Sequence, residues 1–321
     1  MREITLIDAI KEAYQEELRR DEAVYMIGQD IRGGIFPHSM ELVQEFGSDR
    51  IVDTPIAECG MFGTAMGSAM VGKRPIVDFM FGNFTYYAAG EVMVTAAQQH
   101  FMHGSQTAMP MVITAAVGTT MQLGNDHAVV PKAPLIHQPG VKYCFPSTPA
   151  DAKGLMKASV RDNNPVIMFW HMGLMMDRGP VPEDEDFIIP LGVSEVKREG
   201  TDVTLVANGL MYKYANEVAE KLEGEISVEI VDPRSFVPLD MDTIIASLAK
   251  TNHMVIADED YYNCGWAGEC MARVIEQGFD YLDAPIERVC VDDVPIPGGT
   301  LEPLVCPTPD KIEAAIRRVI R

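Results

Sequence analysis

Apolar residues along the chain fall into two alternating patterns, short continuous runs and longer stretches with helical spacing. Leu6, Ile10, Ala13, Tyr14 and Leu18 recur on one face just after Thr5. Asp8 stands three residues beyond Thr5, so the pattern predicts a helix opened by a capping arrangement. Residues 23–27, 75–81, 109–117 and 165–169 are nearly unbroken apolar runs. Runs of this length suit strands covered on both faces, as in parallel sheets. Helical stretches are predicted near 60–72, 86–102 and 150–162, the last opening at Asp151 after Ser147-Thr-Pro149. The pattern stops at Asp177-Arg-Gly-Pro-Val-Pro-Glu-Asp-Glu-Asp186, rich in proline and acid, and 177–190 reads as an interdomain linker. Strands at 203–207, 227–231, 254–257 and 286–291 then alternate with helices at 211–222, 241–249, 265–277 and 309–320. The expectation is an α/β protein of two parallel-sheet domains, 1–176 and 191–321, joined by that linker.

Composition narrows the classes of function. A chain of 321 residues exceeds one typical core, which agrees with two domains. With 47% hydrophobic and 23% charged residues it is globular. A formal net charge of −21 argues against nucleic acid or an anionic membrane as partner. Gly60 to Gly72 is apolar but far shorter than the roughly 20 residues of a membrane span, and reads as a buried helix. Charged residues from Arg2 onward argue against a signal peptide. The six cysteines show no metal-ligand spacing and suit reduced thiols in the cytoplasm.

Asp53-Thr-Pro-Ile-Ala-Glu58-Cys-Gly60 ends a strand, places a carboxylate and starts a glycine-rich helix. Taken alone, Glu58 is an acid that complements a helix dipole. Phe79-Met-Phe81-Gly-Asn-Phe84-Thr-Tyr-Tyr87 sets several aromatics after a strand, either to stack on a flat heterocycle or to fill core. His127, taken alone, is a solvated loop histidine, and the other histidines show no metal spacing.

Together these segments resemble the β subunits of the decarboxylating component of 2-oxoacid dehydrogenase complexes, within the transketolase-like group. The resemblance extends through Gly28-Gln-Asp30, Gly72-Lys-Arg-Pro75, Pro146-Ser-Thr-Pro-Ala-Asp-Ala-Lys153-Gly, Arg161-Asp-Asn-Asn-Pro165, Asp232-Pro-Arg-Ser-Phe-Val-Pro-Leu-Asp240 and Asp293-Val-Pro-Ile-Pro297. It implies a pyrimidine-binding domain followed by a transketolase C-terminal-like domain. It also implies thiamine diphosphate as cofactor. Glu58 matches the glutamate on the aminopyrimidine ring, Phe84 the aromatic stacked on that ring, and Ile56 and Gln29 further cofactor-binding positions. His127 matches the histidine that assists substrate binding and acyl transfer, a task suited to imidazole near neutral pH. His137 matches a further position in the active-site loops. Asp162 and Asn164 resemble a loop that holds structural potassium in some relatives; read alone they form an Asp/Asn-rich turn after a helix.

The family's magnesium motif, Gly-Asp-Gly, does not occur in the sequence. The resemblance therefore implies that Mg2+ and the diphosphate are held mainly by an α subunit, in an α2β2 heterotetramer. A dihydrolipoyl acyltransferase core and a small 2-oxoacid or hydroxyketone are the further partners implied. The chain departs from the pattern at Gly124-Asn-Asp-His127-Ala-Val-Val-Pro131, where two usually polar side chains after the histidine are apolar, and at Gln29, which replaces a usual glutamate. These departures open the substrate to an acetoin-like hydroxyketone, and they suggest weaker coupling to a lipoyl acceptor. The alternative is the C-terminal half of a split transketolase, against which Glu58-Cys-Gly60 and the scarcity of local basic residues both count.

Overall fold

The computed structural model describes residues 2–321. They group into two units, one of residues through Val117 with Pro134–Leu191, the other of Gly118–Ala133 with Gly192–Arg321.

In the first unit, β1 (Arg2–Thr5) runs into α1 (Leu6–Arg20). The Thr5 hydroxyl oxygen accepts from the Asp8 amide at 3.1 Å and donates to the Asp8 carboxylate at 2.6 Å, the cap that the sequence predicts. Leu6, Ile10, Ala13, Tyr14 and Leu18 are all buried, as their spacing requires. Then follow β2 (Val24–Gly28), β3 (Ile51–Asp53), α2 (Glu58–Met70), β4 (Arg74–Phe81), β5 (Met111–Val117), β6 (Lys142–Cys144), α3 (Pro149–Arg161), β7 (Pro165–Met168) and β8 (Arg178–Val181). Strands β6-β7-β5-β4-β2-β3 hydrogen-bond in that order, every pair parallel. Every residue of β5 and β7 is buried, which is why their sequences are continuous apolar runs.

Two readings need correction, and one segment carries a strand that the sequence pattern does not show. The helix expected over 86–102 is broken into a 3-10 segment Gly82–Ala88, a π-helical segment Gly90–Ala96 and an α-helix Ala97–Met102. Glycine-bearing α2 is buried on one face only: Met61, Phe62, Ala65, Met66 and Ala69 point inward, whereas Gly63 and Gly67 face open space. Within 177–190, β8 pairs antiparallel with β1, Arg2 opposite Val181. That ribbon holds through backbone bonds, so its polar and proline-rich side chains leave no apolar period.

Helix α1 is joined to α3 by charge as well as by apolar contact. The fully buried ammonium of Lys153 meets Glu12 at 2.7 Å and Glu16 at 2.8 Å, and that of Lys157 meets Glu16. Arg161 meets the fully buried Glu17 at 2.7 Å.

The second unit carries β9 (Glu195–Arg198), β10 (Val203–Ala207), α4 (Leu210–Lys221), β11 (Val228–Asp232), α5 (Met241–Thr251), β12 (Met254–Tyr261), α6 (Trp266–Gly278), β13 (Glu287–Val291) and α7 (Pro309–Val319). Its sheet order is β9-β11-β10-β12-β13, with β9 antiparallel to β11 and the other pairs parallel. Among the described residues no helix is long and apolar enough to cross a membrane.

Removing one member of a buried ionic group leaves its partner uncompensated. Glu16→Gln, which strips Lys157 of its carboxylate, should lower the unfolding free energy by roughly 3 kcal/mol. The drop would be read as a fall in the chemical denaturation midpoint; an unchanged midpoint would mean that the ammonium reaches water instead.

Candidate active site

A parallel sheet ends all its strands on one edge, and ligands bind where neighbouring strands send their connections in opposite directions. In the first unit that point lies between β2 and β4. From β2 the chain continues to β3 on one side, and from β4 to β5 on the other. Gly28 closes β2 opposite Asp78 of β4. A Cβ on Gly28 would stand 2.9 Å from the Asp78 carbonyl oxygen, so only glycine lets the two strands end this close.

Four sequence-predicted residues follow the ends of these three adjacent strands. Gln29 comes after β2. It is only 4% exposed, and its Nε2 has no hydrogen-bond partner. Ile56 comes after β3 and is 81% exposed, unusual for an isoleucine. Glu58 is the first residue of α2 and is half-buried. Phe84 comes after β4, edge-on to Phe81 at 5.6 Å between ring centroids and tilted against Tyr87 at 6.2 Å. The Cys59 thiol donates to the Tyr87 carbonyl at 2.7 Å, tying the start of α2 to the aromatic segment.

Asp162 and Asn164 sit elsewhere, in the turn before β7, at the edge where the parallel strands begin. One oxygen of Asp162 accepts from the Asn164 amide at 2.8 Å and from its Nδ2 at 2.9 Å, and the other takes the Lys142 ammonium. The Arg74 guanidinium donates to the carbonyls of Val160 and Asp162 at 3.0 and 2.9 Å. Two cationic side chains, Lys142 and Arg74, thus reach oxygens of this turn.

His127 belongs to the second unit, on the short helix Asn125–Ala128, and is half-buried. The Asn125 side-chain oxygen accepts from the Tyr261 hydroxyl at 2.8 Å and from the Ile296 amide at 3.2 Å. Ala128 and Val129 are buried in one cluster with Val291, Ile296 and Cys306. This accounts for the apolar pair after the histidine: these two side chains are core. His137 is exposed.

Residues 2–176 match the transketolase pyrimidine-binding domain and residues 192–312 the transketolase C-terminal domain. The chain is 39% identical to the pyruvate dehydrogenase E1 component subunit beta of Rhizobium meliloti, over 99% of this chain and 70% of that protein. It is 40% identical to the acetoin:2,6-dichlorophenolindophenol oxidoreductase subunit beta of Bacillus subtilis, over 97% of this chain and 95% of that protein. It is 38% identical to the 2-oxoisovalerate dehydrogenase subunit beta of the same organism, over 98% of each. The chain belongs to the β subunits of the thiamine-diphosphate-dependent 2-oxoacid dehydrogenase family. A split-gene transketolase solved as an inactive β4 tetramer has the same fold, with a TM-score of 0.80 over 99% of this chain and 98% of that one, at 24% identity.

In this β subunit, sequence reasoning missed the residues at the end of β12. Asp258, Glu259 and Asp260 are all buried. Asp258 takes the Lys132 ammonium, which also lies 4.4 Å over the Phe236 ring. Glu259 accepts from the Thr119 hydroxyl at 2.7 Å, and Asp260 from the Ala133 amide at 3.0 Å. The available signal was three successive acids closing an apolar strand, together with a lone lysine inside the apolar stretch 128–136.

Burial, with the Asp258 charge beside it and Lys132 opposing, pushes the Asp260 carboxyl up to about 6. A carboxyl raised by folding favours the folded state below its unfolded pKa and loses that contribution as pH rises through the folded value. Replacing it with Asn should remove this loss. The melting temperature of the Asp260→Asn variant should therefore gain on the parent as pH rises from about 4 to about 6. A constant difference across that window would contradict the raised value.

Proposed function

We propose that this chain supplies the pyrimidine-binding half of a thiamine-diphosphate site shared with an α subunit in an α2β2 enzyme. That enzyme cleaves the bond beside the carbonyl carbon of a 2-oxoacid, or of an acetoin-like hydroxyketone, and passes the acyl group to a lipoyl acceptor on an acyltransferase core. The observation that carries the reading is the convergence of Gln29, Ile56, Glu58 and Phe84 at the ends of three adjacent strands. The three relatives are named for pyruvate, acetoin and 2-oxoisovalerate, and the proposal is set at the step these substrates share.

The residues fit the cofactor's pyrimidine half. The orphaned buried Nε2 of Gln29 is a donor in search of an acceptor. The exposed Ile56 offers an apolar support to a flat ring. Phe84 presents an aromatic face for stacking. Glu58 would hold a proton toward the ring nitrogen. When bound, thiamine diphosphate supplies the thiazolium carbon that adds to the keto carbon and takes up the electron pair released on cleavage. His127 orients the substrate and moves a proton during acyl transfer. The magnesium and diphosphate contacts fall to the α subunit, since Gly-Asp-Gly does not occur in these 321 residues.

The test is native mass and turnover of this chain alone and after co-expression with an α subunit bearing Gly-Asp-Gly. Thiamine diphosphate, magnesium, an artificial electron acceptor and a panel of 2-oxoacids plus acetoin would be supplied. Turnover should require both chains. Glu58→Gln should lower it by about 10²–10⁴-fold while the heterotetramer still forms. Turnover by this chain alone would overturn the half-site reading. In the same assembly, Phe84→Ala should weaken cofactor binding by about 1–3 kcal/mol, measured by titration; unchanged affinity would remove Phe84 from the site.

A further inference from the structure

Residues 118–133 carry His127, yet they belong to the second unit, and four consecutive residues at the end of β12 each bind them. Asp258 binds Lys132. Glu259 binds both the amide and the hydroxyl of Thr119, at 3.3 and 2.7 Å. Asp260 binds the Ala133 amide, and Tyr261 donates to Asn125, two residues before the histidine. The attachments thus fall at both ends of the segment and beside His127.

A regular strand could not do this, because its successive side chains point to opposite faces. The pairing of β12 with β13 slips between Ala257 and Tyr261, and such an irregularity re-aims the side chains around it. Two of the acids gain further fixation from α6: Asp258 accepts from the Ala267 amide at 3.2 Å and Asp260 from the Trp266 amide at 3.3 Å.

The segment needs such restraint. Thr120 has φ +81 and Gln122 φ +57, left-handed conformations that side chains rarely adopt and a β-branched residue least of all. Strained backbone of this kind persists only where its surroundings over-determine it. Here the Thr120 amide donates to Glu302 at 2.6 Å, and the Gln122 carbonyl accepts from Gly299 at 3.0 Å.

We infer that Asp258-Glu259-Asp260-Tyr261 is a positioning clamp that fixes His127 for the reaction, so that the C-terminal unit takes part in catalysis as well as in assembly. These are positioning residues, and their effect passes through the histidine. The inference rests on the role proposed above for His127.

Tyr261→Phe removes one hydroxyl and keeps the ring. In the α2β2 enzyme it should lower kcat for lipoyl acylation roughly 10–100-fold, the scale of a misplacement of about 1 Å, with the Kd for thiamine diphosphate unchanged. In a His127→Ala background the same substitution should change kcat by less than about 2-fold, because no histidine is left to misplace. Asn125→Ala, which removes the acceptor of both the Tyr261 hydroxyl and the Ile296 amide, should lose at least as much as Tyr261→Phe, and the double variant should be no worse than Asn125→Ala alone. A kcat untouched by Tyr261→Phe, or a full further loss in the His127→Ala background, would overturn the clamp while leaving the proposed function standing. A kcat untouched by His127→Ala would overturn both the role of that histidine and the clamp. A raised cofactor Kd in Tyr261→Phe would overturn the clamp as well, since the damage would then reach beyond His127.

Discussion

The site proposed for this protein depends first on the parallel pairing of β2, β3 and β4. Parallel strands finish on one edge, so residues far apart in sequence arrive side by side without any loop having to find them. The chain leaves β2 toward β3 and leaves β4 toward β5, the kind of divergence at which open parallel sheets place ligands. Gly28 lets β2 and β4 end in close approach there. A one-residue slip of β2 against β4 would move Gln29 relative to Phe84 and turn buried side chains outward, so register and site geometry are one constraint.

The two units use buried charge differently. On the first, Lys153, Lys157 and Arg161 of α3 meet Glu12, Glu16 and Glu17 of α1 in a row that fixes one helix against another. On the second, buried acids of one strand hold a segment that has little regular structure of its own. Buried ionic groups contribute little net stability against well-packed apolar alternatives. They do penalise any other arrangement, because every misplacement leaves a desolvated charge unpaired. That suits a helix that must seat in one register and a segment held at both of its ends.

The legible parts of the structure were the local ones. The Thr5–Asp8 cap, the apolar face of α1, and the strand at Val203–Ala207 are each written within one short local segment. Glu58 and Phe84 stood out because the order and spacing of several segments, not either residue, carried the family likeness. The misses were non-local. Strand β8 has its partner at the opposite end of the unit's sequence, and its side chains carry no period because the ribbon is held by backbone. Asp258 and Lys132 lie 126 positions apart, and neither alone differs from a solvated charge. The turn at Asp162 and Asn164 shows oxygen donors in sequence; that Lys142 meets the Asp162 carboxylate and Arg74 the backbone carbonyls of Val160 and Asp162 is visible only in three dimensions.

The burial of Ala128 and Val129 among Val291, Ile296 and Cys306 bears on how such proteins change over time. By family boundaries the chain is two interchangeable modules, meeting between 176 and 192. By packing it is not, because a piece of the first module completes the core of the second. A recombinant exchanging only the C-terminal module between relatives would join a foreign core to a native plug, with Lys132 facing whatever stands in place of Asp258. Substitutions in 118–133 and at the end of β12 should therefore drift as a pair across descendants, and a viable graft has to carry both.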